Sequence, residues 1–80
     1  MTWTIQEERL IREYQFKNFS EALSFVIQVG LLAEIHNHHP KIVNEYNKVR
    51  LELCTHDAGH RITAKDHELA DKIDAIRIPY

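Results

Sequence analysis

Residues 34–40 read EIHNHHP and place three of the chain's six histidines within four positions. Imidazole is the side chain whose ordinary pKa, about 6.5, lets it both give and take a proton near neutrality. His38 and His39 are adjacent, so at a helix end they point in different directions, one toward a pocket and the other toward its wall. Glu34 precedes His38 by four residues, one helical turn on the same face. A carboxylate there can fix an imidazole's tautomer and orientation. His56 stands beside Asp57 and ahead of Gly59, where a predicted strand runs into a loop, the kind of place that carries functional groups. Each group also has a plainer reading. A histidine near a helix C-terminus is favoured by the dipole, a Glu–His pair at that spacing is common on surfaces, and His56 can be a solvated loop residue.

Metal ligation and thiol chemistry are the other candidates. His36, His38 and His39 are potential ligands, with His56 and His60 downstream, but no helical H-x-x-x-H pair or C-x-x-C is present. Pro40 breaks the helix beneath the His36–His39 pair, so no metal is expected. Cys54 and His56 are two apart on a strand and so share a face, but a lone cysteine is more often a small buried hydrophobe. His36, His60 and His67 are assigned no role.

The elements that must position these groups follow from periodicity. RLIREYQF alternates, with Leu10, Tyr14 and Phe16 on one face, Ile11, Glu13, Gln15 and Lys17 on the other, and Arg12 interrupting the apolar side. Trp3 and Ile5 supply a partner strand, with a turn near Glu7 and Glu8. A helix starts at the N-cap Asn18, with Glu21 three residues on. Ala22, Phe25, Val26, Val29 and Ala33 form its stripe, and Leu23, Ile27 and Leu31 widen it, which predicts a helix buried over much of its girth. Pro40 ends it near Asn37 or His38. A second hairpin turns at Asn47-Lys48, pairing Tyr46 with Val49. Ile42, Asn44, Tyr46, Val49, Leu51 and Leu53 then share a face, with Arg50, Glu52 and Cys54 opposite.

Thr63 caps a last helix whose stripe is Asp66, Leu69, Ala70, Ile73 and Ile76. An acid in the first turn is ordinary capping chemistry, but Asp66 heads the buried stripe rather than the solvated face. The order is ββαββα, an α+β domain with a four-stranded antiparallel sheet and helices packed on one face.

Composition bounds the rest. Eighty residues make a single domain, 1–80, at the small end of what folds alone. A core of this size supplies about 3–5 kcal/mol of net stability, and small folds usually add a staple. With Cys54 the only cysteine, the staple is not an internal disulfide, and oligomerisation is expected instead. The start MTWTIQEERL has no signal-like pattern, and no run reaches the roughly 18 apolar residues of a membrane span. A cytoplasmic protein without a membrane partner is expected. Net charge is −2, from ten basic and twelve acidic side chains with no basic stripe, which argues against nucleic acid as a partner.

Taken together, the motifs resemble the pterin-4a-carbinolamine dehydratases. Glu34, His38-His39-Pro40, Tyr46, His56 and Asp66 fall at the family's spacings, and REYQFKNFSEALSFV, YNKV, THDAG and KD match in order, from about Trp3 to Ile76. The resemblance implies a four-stranded antiparallel sheet with helices along one side, and dimers or tetramers. It implies dehydration of 4a-hydroxytetrahydropterin to quinonoid dihydropterin, in tetrahydropterin recycling, with no metal or organic cofactor. By the same resemblance His38 and His56 are the acid–base pair, His39 contacts the pterin, and Glu34 and Asp66 support the imidazoles. Most members carry a further N-terminal helix, so the chain is expected to be a short form. Lys41 and Ile42 stand where Glu-Trp is frequent, and His60 where a second glycine is common. The alternative is a non-catalytic pterin-binding or interaction domain of the same fold.

Overall fold

The computed structural model describes residues 3–77. Strands β1 (Thr4–Gln6) and β2 (Arg9–Gln15) form a hairpin, followed by helix α1 (Phe19–Ile35), strands β3 (Lys41–Glu45) and β4 (Lys48–Leu53), a 3-10 turn (His56–Ala58) and helix α2 (Ala64–Asp74). The four strands make one antiparallel sheet in the order β1-β2-β4-β3. The predicted ββαββα order and fold class are therefore observed.

Register explains which face is buried. Leu10 pairs with Leu53, Tyr14 with Val49 and Ile42 with Leu51, so these side chains rise from the same face. Ala22, Phe25 and Val29 of α1 and Leu69, Ala70 and Ile73 of α2 close over them. Each fully buried leucine or isoleucine contributes about 1.5–3 kcal/mol of transfer free energy. Arg12, which breaks the apolar alternation, reaches across to α2. Its guanidinium donates to Asp74 Oδ1 at 2.6 Å, as the Trp3 indole does at 3.0 Å, and it lies 4.6 Å over the Tyr14 ring. The opposite face is polar, with Arg50 bonded to Glu13 and Glu52. The hydrogen bond from Arg50 holds the Glu52 carboxyl below its usual pKa.

Both helices begin as their caps predict. The Asn18 side chain accepts from the Glu21 amide, and Glu21 reaches back to the Lys17 amide, one residue before the cap. Thr63 and Asp66 form a complete capping box.

Two expectations are corrected, and the first hairpin turns where predicted but on unusual residues. The second hairpin turns at Tyr46 and Asn47, because Glu45 pairs with Lys48 and Asn44 with Val49. Tyr46 adopts φ 51° and leaves the sheet face, while the parity of the other residues is unchanged. The first hairpin turns through Glu7 and Glu8, both at positive φ, without the glycine or asparagine such turns favour. Finally, α1 does not bury its girth within the chain: Ala22, Phe25, Val29 and Ala33 are buried, but Phe19, Leu23, Ile27, Leu31 and Ile35 form an exposed stripe at every fourth residue.

Candidate active site

The site begins where α1 stops. Its last helical residue is Ile35, slightly earlier than predicted, and Asn37 turns left-handed at φ 50°. The Asn37 amide donates to the Glu34 carbonyl and the His38 amide to the Ala33 carbonyl. This paired closure is a Schellman motif with asparagine in the glycine position. It reverses the chain and turns His38 inward beneath the helix end, leaving its side chain 10% exposed.

His38 meets α2 there. Its Nε2 lies 2.6 Å from Asp66 Oδ1. Asp66 is fully buried, and its Oδ2 accepts from Thr55 Oγ1 and from the Thr63 amide, both at 2.8 Å. The Thr55 and Thr63 hydroxyls are 2.6 Å apart. One carboxylate thus caps α2, holds the end of β4 and orients an imidazole. A carboxylate accepts only, so His38 donates from Nε2, which in the neutral ring leaves the lone pair on Nδ1.

Glu34 has a different partner from the one its spacing predicts. Its Oε1 contacts His39 Nε2 at 2.5 Å, not His38, because the left-handed turn at Asn37 destroys the i, i+4 relation. Pro40 favours extended backbone at His39, which points that ring outward and back along α1. Both partners are more than half exposed, so the pair orients His39 more than it stabilises the fold.

His56 opens the 3-10 turn after β4 and is exposed. The loop is closed by backbone bonding between Thr55 and Arg61. A cleft of about 140 Å³ is lined by Asn37, His38, His39, Thr55, His56 and Lys65, with Asp57 at its rim. His38, His39 and His56 therefore share one cleft, with Asp66 behind His38 and Glu34 beside His39. A larger hollow of about 530 Å³ runs past Glu13, Val43 and Arg50 and has no imidazole in its lining. With imidazoles contributed by two different elements, the smaller cleft carries the residue types suited to acid–base chemistry.

Thr55 and Lys65 line the cleft although no spacing in the sequence singles them out. His60, which has no role on sequence grounds, places its Nδ1 2.9 Å from His56 Nδ1, the rings meeting edge to face. The i, i+4 spacing of the two, with Gly59 between, was the available signal. His36 caps α1 and is exposed, and His67 is exposed on α2.

A family model described as pterin 4 alpha carbinolamine dehydratase matches residues 1–76. A relative from Solibacter usitatus bearing the name pterin-4-alpha-carbinolamine dehydratase is 49% identical over 74 residues, covering 92% of this chain and 77% of its own. One of the same name from Synechococcus is also 49% identical, covering 92% and 78%. A Brucella melitensis crystal structure, titled a transcriptional coactivator/pterin dehydratase, superposes with a TM-score of 0.84 at 37% identity, covering 91% of this chain and 79% of that one. A pterin dehydratase-like protein described as a RuBisCO assembly factor in the alpha-carboxysome shares the fold, with a TM-score of 0.80 at 19% identity over 94% and 88% of the two chains. On the match over nearly its whole length, the chain belongs to the pterin 4 alpha carbinolamine dehydratase family.

Proposed function

We propose that the chain dehydrates pterin 4a-carbinolamine to quinonoid dihydropterin by histidine acid–base catalysis, in the recycling of tetrahydropterin. The C4a–O bond breaks, the N5–H proton leaves, and a C4a=N5 double bond forms with release of water. One imidazole protonates the departing hydroxyl and the other accepts the N5 proton. The observation that carries this reading is the convergence of His38 and His56 on one cleft, His38 held by a buried carboxylate, in a chain of this family. Asp66 would keep the His38 Nδ1 lone pair turned toward substrate, and His39, steadied by Glu34, would contact the pterin. The cleft is smaller than the roughly 300–1,000 Å³ of pockets that enclose a small ligand. It would grip one edge of the ring, and Ile42 in place of the frequent tryptophan would leave that grip looser.

The same reading takes 1–80 as one cytoplasmic domain that works as a homodimer or homotetramer. No helix among the described residues is long and apolar enough to cross a membrane. The exposed stripe on α1, from Phe19 to Ile35, supports self-association.

The test is loss of the 4a-carbinolamine in the presence of chelator. A rate above the spontaneous background is expected, and none with any pterin side chain would reject the proposal. The variant lacking both His38 and His56 should stay folded and inactive; full activity in it would remove the assignment. A second reading is a non-catalytic pterin-binding or interaction domain. It draws on the carboxysomal assembly factor of the same fold and on Lys41-Ile42. Binding of a dihydropterin analogue without turnover would favour it.

A further inference from the structure

The loop after β4 brings together three groups that the reaction does not require in company. Cys54 is the last residue before the Thr55–Arg61 closure and is buried. His56 and His60 project from the two ends of the turn that follows. One donor atom from each of Cys54, His56 and His60 lies within 4.8 Å of the others, a grouping of the described residues. The two imidazole Nδ1 atoms face each other at 2.9 Å.

We propose that Cys54, His56 and His60 form a site for a thiophilic divalent cation of the zinc class, and that its occupancy switches the dehydratase off. Tetrahedral zinc has bonds of about 2.3 Å to sulfur and 2.0–2.1 Å to nitrogen, which puts its donors about 3.3–3.6 Å apart. The two imidazole nitrogens stand 2.9 Å apart and all three donors lie within 4.8 Å, so modest rotation of the two exposed rings would bring the donors to that spacing. One thiolate and two imidazoles suit zinc and cobalt better than calcium or magnesium. On binding, the Cys54 S–H bond breaks, a metal–sulfur bond forms, and one proton passes to solvent. Both histidines bind as neutral rings.

The backbone adds a separate observation. His60 sits at φ 61° immediately after Gly59 at φ 79°. A left-handed non-glycine residue is strained, and such strain concentrates at functional sites. Glycine at this position would be conformationally easier.

The inhibitory half rests on the catalytic reading of His56. A neutral imidazole has one basic lone pair, and a metal on either nitrogen consumes it. The ring can then no longer accept a proton from substrate. Three protein ligands leave a fourth position for water beside the cleft.

The experiment titrates the reduced, chelator-treated full chain with Co2+ and then with Zn2+, following absorption and turnover. Co2+ should give a thiolate-to-cobalt charge-transfer band and the intense visible bands of a tetrahedral centre, saturating at one equivalent and displaced by Zn2+. Cys54→Ala should abolish the charge-transfer band. His60→Gly, compatible with the positive φ, should weaken binding at least tenfold. Cys54→Ala should keep basal turnover, and Zn2+ that silences the native chain should leave it active. No charge-transfer band, or equal affinity in both variants, would overturn the site. A band with undiminished turnover at full Zn2+ occupancy would overturn the switch. A band in a chain that never turns over would establish the site and count against the dehydratase reading instead.

Discussion

Replacing Asp66 with asparagine separates the orienting role of this residue from its role in folding. The carboxylate accepts from His38 Nε2 through Oδ1, and from Thr55 and the Thr63 amide through Oδ2. An amide of the same shape keeps oxygen toward the two threonines and turns its NH2 toward His38. Three charge-assisted bonds become neutral ones, each weaker by about 1 kcal/mol. Relief from burying a charge offsets part of that loss. The net cost should be about 1–2 kcal/mol, a fall in Tm of about 4–16 °C for a chain this size. The chemical effect is larger. An NH2 donor forces His38 Nε2 to accept, so the ring proton moves to Nδ1 and the lone pair is lost from the cleft. Misplacing a general acid–base group lowers turnover by about 10²–10⁴. Imidazole 15N shifts should report the tautomer, and the carbinolamine assay the rate. A folded Asp66→Asn variant with the native tautomer, or with turnover within about threefold of native, would refute the argument. Asp66→Ala leaves the His38 ring N–H and the Thr63 amide without an acceptor, each worth about 1–3 kcal/mol, while Thr55 can donate to the Thr63 hydroxyl instead. That total is comparable to what so small a core supplies, and circular dichroism should show the variant largely unfolded.

Tyr14→Phe should hold or raise Tm at neutral pH, because the Tyr14 hydroxyl is buried with no well-formed hydrogen bond among the described residues; a fall would point to a bond with the neighbouring Arg12 guanidinium. Burial pushes the Tyr14 pKa from 10.0 up to about 12. The unfolded chain therefore gives up this proton first, and stability present below pH 10 is lost toward pH 12. Denaturation at several alkaline pH values should show the Tyr14→Phe variant losing less over that window. Leu31→Lys with Ile27→Glu places charge in the exposed stripe of α1 and should reduce the sedimenting mass without changing the fold; an unchanged mass would move any self-association elsewhere. Glu34→Gln should change Tm little, since its pair with His39 is solvated, but should raise KM by freeing His39. Unaltered KM would leave the pair without a role in binding.

The sequence made α2 and its buried acid legible because a 3.6-residue period and a capping box are local. Asp66, Leu69, Ala70 and Ile73 fall on the buried face as predicted. The same logic failed at Glu34, because spacing assumes a continuous helix and Asn37 ends it with a left-handed residue. Turn chemistry hid the second hairpin's position: Tyr46 takes a positive φ that glycine or asparagine normally signals, whereas the turn at Glu7 and Glu8 is found where alternation put it despite the same unusual φ. Apolar periodicity located the core face of α1 but not the limit of burial. Leu23, Ile27 and Leu31 look like core residues in a sequence, whatever covers them. The contact between His56 and His60 depends on the closure of one short loop, which no periodicity encodes.

The middle of the sheet joins strands that are far apart in the chain. β2 pairs with β4 across the whole of α1 and β3, while the outer strands pair with sequence neighbours. The two hairpins can form on their own in microseconds, but joining them requires closing a loop of more than thirty residues. The first hairpin supplies none of the proposed reacting groups, which all lie between Glu34 and Asp66. Yet β2 is the wall on which β4 settles. Proton-transfer geometry is therefore a late event in folding. In hydrogen exchange, the amides of β2 and β4 should open only with the whole molecule, while the Thr63–Asp66 cap can release earlier and let His38 go with it.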